Sequence, residues 1–147
     1  MTFQEQISND LVGAIKARND TRVSCLRMLK TALKNRQVEK MGELTDEEVQ
    51  AVISSLIRRG QEAAKEFRQG GREELALKEE EEAEILYGYL PEQLSPDEIE
   101  NTLREVISEL GATGPKDLGK VMKTAMARMS GKAQGKEVSA MAKTLLS

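Results

Sequence analysis

Tyr87-Gly88-Tyr89-Leu90-Pro91-Glu92-Gln93-Leu94-Ser95-Pro96-Asp97-Glu98 divides the chain in two. Pro91 pushes Leu90 out of the helical region, so the preceding helix must stop. Ser95-Pro96-Asp97-Glu98 then opens a new helix, with Ser at the N-cap, Pro at the first helical position and Glu at the third. A stop and a start this close predict an N-terminal helical domain over residues 1–90, a hinge at 91–95 and a small C-terminal domain over 96–147.

Upstream, helical spacing runs almost without interruption. Thr2-Phe3-Gln4-Glu5 has the spacing of a capping box, and Phe3, Ile7, Leu11 and Ile15 recur every four residues. They predict a helix over 3–18, ended by Asn19-Asp20. Val23, Leu26, Leu29 and Leu33 predict a second helix over 21–41, with Cys25, Met28 and Ala32 widening its stripe. Arg27, Lys30 and Lys34 fall on its narrow outer face. Thr45-Asp46-Glu47-Glu48 is a second capping box and opens a long third helix that Gly70-Gly71 closes. Gly60 inside it weakens the helix by about 1 kcal/mol relative to Ala, and a close helix crossing is one reason for a glycine there. A fourth helix is predicted over 72–89.

Downstream, Ile99, Leu103, Val106, Ile107 and Leu110 predict a helix over 96–110. Two more follow, over 115–129 and 136–146, the first separated from 96–110 by Gly111 and Gly114-Pro115. No segment alternates as a half-buried strand would. The expected fold class is all-α: an N-terminal helical bundle and a three-helix C-terminal domain.

Composition limits the chemistry. In 147 residues there is no histidine, which removes the commonest general base and metal ligand. A single cysteine, Cys25, excludes an intrachain disulfide and cysteine-rich zinc sites. It sits among apolar residues and reads as a buried structural thiol. No catalytic constellation, metal site or cofactor is expected. No apolar run approaches the roughly 18 residues of a membrane span. The first residues resemble neither a signal peptide nor an Arg-rich presequence, so a cytoplasmic protein is expected.

Charge is segregated. Glu73 to Glu100 carries eleven acids against Lys78 alone. The run Glu79 to Glu82 is expected to form a solvated or salt-bridging face, with Arg58-Arg59 and Arg72 as partners. From Lys116 onward seven bases face only Asp117 and Glu137. On helix 115–129, Leu118, Val121, Met122, Ala125, Met126 and Met129 cluster on one side, as core residues do. Lys116, Lys120 and Lys123 lie opposite, with Arg128 on a flank. Gly131-Lys132-Ala133-Gln134-Gly135-Lys136 is not a phosphate loop, because three residues separate its glycines and Glu137 follows the lysine. Lys132 and Lys136 instead flank a helix start, a place that can hold a phosphate. The candidate nucleic-acid-binding residues are therefore Lys116, Lys120, Lys123, Arg128, Lys132 and Lys136. The tail has no aromatic residue on which bases could stack, which narrows the nucleic acid to folded RNA read by its backbone. A solvated basic face is the alternative for the same residues.

Tyr89-Leu90-Pro91, Gly119-Lys120-Val121-Met122-Lys123 and Gly131-Lys132-Ala133 followed by a final helix to Leu145-Leu146 stand together in a specific order. With the Arg58-Arg59 and Phe67…Gly70-Gly71-Arg72 neighbourhoods, they make the chain resemble the YqeY family over its whole length. From about residue 95 it is similar to the tail of the GatB subunit of the tRNA-dependent amidotransferase. That resemblance implies an all-helical, two-part fold and contact with tRNA through Lys120, Lys123 and Lys132. It does not bring the amide-transfer cradle, which has no counterpart here. The function expected is a stand-alone tRNA- or RNA-binding accessory module without catalysis of its own. The alternatives are a protein-interaction module docking through the methionine face, or an accessory subunit of a carbon–nitrogen ligase that uses glutamine as amido donor. Expected partners are tRNA or another folded RNA, with amidotransferase or tRNA-synthetase components beside it.

Overall fold

The computed structural model of the chain describes residues 2–147. Among them are seven α-helices and no strand, so the fold is all-α. In chain order the helices are α1 (Phe3–Lys16), α2 (Asp20–Lys40), α3 (Asp46–Gln69), α4 (Glu73–Tyr87), α5 (Pro96–Leu110), α6 (Leu118–Arg128) and α7 (Gly135–Leu146), with a 3-10 turn at Pro115–Asp117 before α6. Contacts group the residues into two compact units, one ending at Leu90 and the other Pro91–Ser147.

The starts of α1, α3 and α5 obey local chemistry. Thr2, Thr45 and Ser95 each accept a hydrogen bond from the amide three residues on, and the glutamate there reaches back to the cap amide. Such a cap contributes about 1 kcal/mol. The ends follow backbone geometry. Gly71 and Gly111 take φ of 75° and 63°, the left-handed conformation that glycine adopts without strain. α1 and α2 instead close through Arg18 and Met41, non-glycine residues at φ of 57° and 62°. α1 therefore stops at Lys16, two residues before the expected end, and Asn19 is free to cap α2 by accepting from the Arg22 amide.

In the first unit α1 packs on α2, and α3 packs along α4. Its core holds Ile7, Cys25, Leu26, Leu29, Leu33, Ile53, Ile57, Leu86 and Tyr89 among others. One stripe residue leaves it: Ile15 is 48% exposed, and Ala14 is buried instead. A four-residue step turns about 400°, so a stripe kept at that spacing drifts about 40° per step and rotates off the core. Tyr89 belongs to this core, with its ring 6.3 Å from that of Phe3 and its hydroxyl donating to Asp10.

The acidic run on α4 does not behave as one solvated face. Glu82 is buried, Glu79 is half-buried, and Glu80 pairs with Arg68. Arg68 also forks onto Glu73 with bonds of 2.9 and 3.0 Å. The partner is thus Arg68, not Arg58, Arg59 or Arg72, because α3 and α4 run together and bring the end of one beside the start of the other. Gly60 marks no tight crossing: a Cβ there would meet Glu79 Oε2 at 3.5 Å and Glu79 O at 3.7 Å, ordinary contact distances.

In the second unit α5, α6 and α7 enclose Ile99, Leu103, Val106, Val121, Ala125, Met129, Val138, Ala142 and Leu146. The segment read as a hinge, 91–95, is bonded within this unit. Gln93 Nε2 donates to Pro91 O at 2.9 Å and to Gly131 O at 2.7 Å, and Leu94 N donates to Lys132 O at 2.8 Å.

Candidate nucleic-acid interface

α6 fixes the arrangement of the candidate cations. Val121 and Ala125 are fully buried, and Met129 follows them into the core. Met122 and Met126 pack against the same core, half-buried. The methionine face thus packs largely on this unit's own core, with Met122 and Met126 partly exposed. Burying that side turns Lys120 and Lys123 to solvent; both are exposed, as are Lys116, Lys132 and Lys136.

The six residues do not carry equal free charge. Arg128 is committed: its guanidinium forks onto the Glu109 carboxylate of α5, Nη1 to Oε1 at 3.3 Å with Nη2 on Oε2. The pairing holds the Glu109 carboxyl below the usual range and raises the Arg128 guanidinium. Lys116 and Lys120 stand beside Asp117. That carboxyl lies below its usual range, chiefly because it accepts from the Thr113 amide at 3.0 Å, with smaller help from the Gly114 amide, Lys120 and Lys116. Lys123, Lys132 and Lys136 have no ion pair among the described residues.

Spacing sets the scale of the surface. At about 1.5 Å per residue, Lys120 in the first turn of α6 and the helix end that leads into the turn bearing Lys132 lie about 12 Å apart along the axis. The charges are spread out rather than converging on one point. That suits a run of phosphates better than a single nucleotide.

The turn after α6 is held by several hydrogen bonds. Gly131 takes φ of 72°, Lys132 N donates to Met129 O at 2.8 Å, and Leu94 and Gln93 bind the carbonyls of Lys132 and Gly131. Gln93 braces this turn, a contact that the sequence did not reveal. Its partner lies 38 residues away, and a glutamine before a helix cap carries no local signal. α7 then begins at Gly135, so Lys136 lies in its first turn beside Glu137. Its N-cap residue, Gln134, makes no side-chain cap, and Gln134 Nε2 is buried without a hydrogen-bond partner among the described residues. Lysine in a first helical turn opposes the helix dipole. Glu137 in the same turn offsets this in part.

No three acidic, cysteine or histidine residues gather closely enough to hold a metal among the described residues. Cys25 is fully buried, and its thiol is pushed up to about 12, first by burial and then by the Glu82 charge. A thiol held protonated at neutral pH is a poor nucleophile.

The comparisons with known proteins bear on family and compartment. A family model described as Yqey-like protein matches residues 4–146. Among curated relatives, "Altered inheritance of mitochondria protein 41, mitochondrial" of Lachancea thermotolerans is 30% identical, covering 74% of this chain and 60% of the relative. The protein of the same name in Clavispora lusitaniae is 30% identical over 70% of this chain and 61% of its own length. That of Pyrenophora tritici-repentis is 25% identical over 90% and 74%. The chain thus spans about 60% of the length of the first two relatives.

These names overturn the expectation of a cytoplasmic protein, since each relative is called mitochondrial. The expectation rested on the composition of the first few residues. No helix among the described residues is long and apolar enough to cross a membrane. With the match running over residues 4–146, nearly end to end, the chain belongs to the family of Yqey-like proteins.

Proposed function

We propose that the C-terminal unit contacts the phosphate backbone of a folded RNA, tRNA foremost, and that the protein is an accessory module without catalysis of its own. The observation that carries this reading is the set Lys123, Lys132 and Lys136, exposed and free of ion pairs among the described residues, with exposed Lys120, beside Asp117, on the same helix as Lys123, in a unit with no aromatic side chain. Lysines spread along and beyond one helix neutralise successive phosphates, and binding of that kind is driven by counterion release. Without aromatics, base stacking contributes nothing, so recognition rests on shape and backbone. The first turn of α7 adds uncapped amides to Lys132 and Lys136, a setting that favours an anion. The resemblance of this tail to the tRNA-contacting tail of the amidotransferase subunit supports tRNA within the wider class. Arg128, held by Glu109, is a lesser contributor.

The test is electrophoretic mobility or anisotropy with total tRNA across a salt series. Wild-type protein binds, with affinity falling steeply as salt rises. Lys120→Glu/Lys123→Glu/Lys132→Glu abolishes binding and leaves helical circular dichroism unchanged. In milder single variants the salt slope drops by about 0.7 to 0.9 per lost contact. If wild-type protein shows no shift at low salt, the proposal fails.

A further inference from the structure

The first unit carries a second surface, outside the cations described above. α2, α3 and α4 border an open groove of about 570 Å³. Its floor is apolar, built from Met28 and Ala32 of α2 and Leu56, Gly60 and Ala63 of α3. Met28 is 38% exposed and offers part of its side chain to the groove. The small residues Ala32, Gly60 and Ala63 leave room for a third helix to approach both walls. Arg27 on α2 and Arg59 on α3 line the groove from its two walls, exposed and without an ion pair among the described residues. Glu79 is the groove's acid, so the lining is net positive.

We propose that this groove docks an acidic amphipathic helix of a partner protein. Along α2 the lining runs from Arg27 to Asn35, and along α3 from Leu56 to Ala63. That is about two helical turns on each wall. A helix of two to three turns, with apolar residues at i, i+3 or i+4 and i+7, fills the floor. Acidic residues on its flanks meet Arg27 and Arg59. Charge complementarity decides the occupant. A nucleic-acid backbone would use the arginines but would leave the apolar floor facing phosphates, whereas an acidic amphipathic helix satisfies floor and walls together. The groove is independent of the RNA reading, since none of its residues belongs to the C-terminal unit.

The experiment uses the full chain and a pair of fluorescein-labelled designed helical peptides. Both carry leucine at i, i+4 and i+7; one has glutamate flanks and the other lysine flanks. The glutamate peptide binds tighter than about 100 μM, and the lysine peptide at least about tenfold more weakly. Arg27→Glu/Arg59→Glu reverses that preference, a readout that unfolding cannot mimic. Met28→Lys weakens both peptides. Three results overturn the proposal: neither peptide binds, both bind alike, or peptide binding ignores the charge swap, whether or not the swap cuts tRNA affinity. A dimer in sedimentation equilibrium that the swap dissolves also overturns it, because a second copy would then fill the groove. Loss of tRNA binding by wild-type protein leaves the peptide result untouched, so the two readings fail separately.

Discussion

Two glutamates show how one residue type takes opposite signs in one fold. Glu48 closes the capping box of α3 and sits on the Lys40 ammonium. The Lys40 bond first, and the Thr45 amide next, hold its carboxyl down to about 2. A depressed carboxyl contributes stability that is present above its ordinary range near 4.5 and is lost as pH falls toward 2. Glu82 is the reverse: burial, then the Glu79 charge, raises its carboxyl. The folded state then resists ionising it, so a penalty appears as pH rises past the ordinary carboxylate range. Thermal denaturation of Glu82→Gln should give a higher Tm than wild type at pH 7, with the gain vanishing near pH 4. Glu48→Gln should lower Tm at pH 7, with the loss shrinking as pH falls. Only one of the two roles was legible in the sequence. A capping box is written within four residues. Glu79, Glu80, Glu81 and Glu82 look equivalent on paper, and only the packing of α4 on α3 and α2 decides which of them loses water.

At the scale of elements, the helices were legible because their signals are local. Caps, prolines and apolar spacing place α5 at its expected bounds and most other helix ends within about two residues; α6 starts three residues later than expected, because Pro115–Asp117 forms a 3-10 turn. Expectations about crossings fared worse. Glycine inside α3 has two opposite meanings, close approach or mere weakness, and sequence does not separate them. In the structure an added methyl at Gly60 meets Glu79 atoms at ordinary distance. Gly60→Ala should therefore stabilise the protein by about 1 kcal/mol, since helix propensity improves and nothing must shift. Urea denaturation followed by circular dichroism measures this. A loss of stability would show that α3 and α4 approach more tightly than these contacts indicate.

For the molecule as a whole, each unit has its own core, and each binding surface proposed here belongs to a single unit. Charge segregation along the sequence pointed to the C-terminal lysines. It also promoted Arg128, which the fold brings against Glu109 from 19 residues away. Sequence counts charges; only the fold shows which are already paired. The same limit hid Gln93, whose bond to Gly131 fixes the turn bearing Lys132. Removing that bond should not remove a phosphate contact. It should only let the lysine wander, so that binding must order it again. Gln93→Ala is thus expected to weaken tRNA binding about threefold, less than one full hydrogen bond of about 1 kcal/mol. The salt slope should stay unchanged, because the same number of counterions is released. Lys132→Glu, in contrast, should lower that slope by at least about 0.7. Amide exchange at Leu94 should quicken in Gln93→Ala, reporting the loosened turn directly. If Gln93→Ala lowers the slope as far as Lys132→Glu does, Gln93 itself touches RNA. If affinity and slope both match wild type, the turn needs no brace from Gln93, and the Leu94–Lys132 backbone bond alone suffices to hold it.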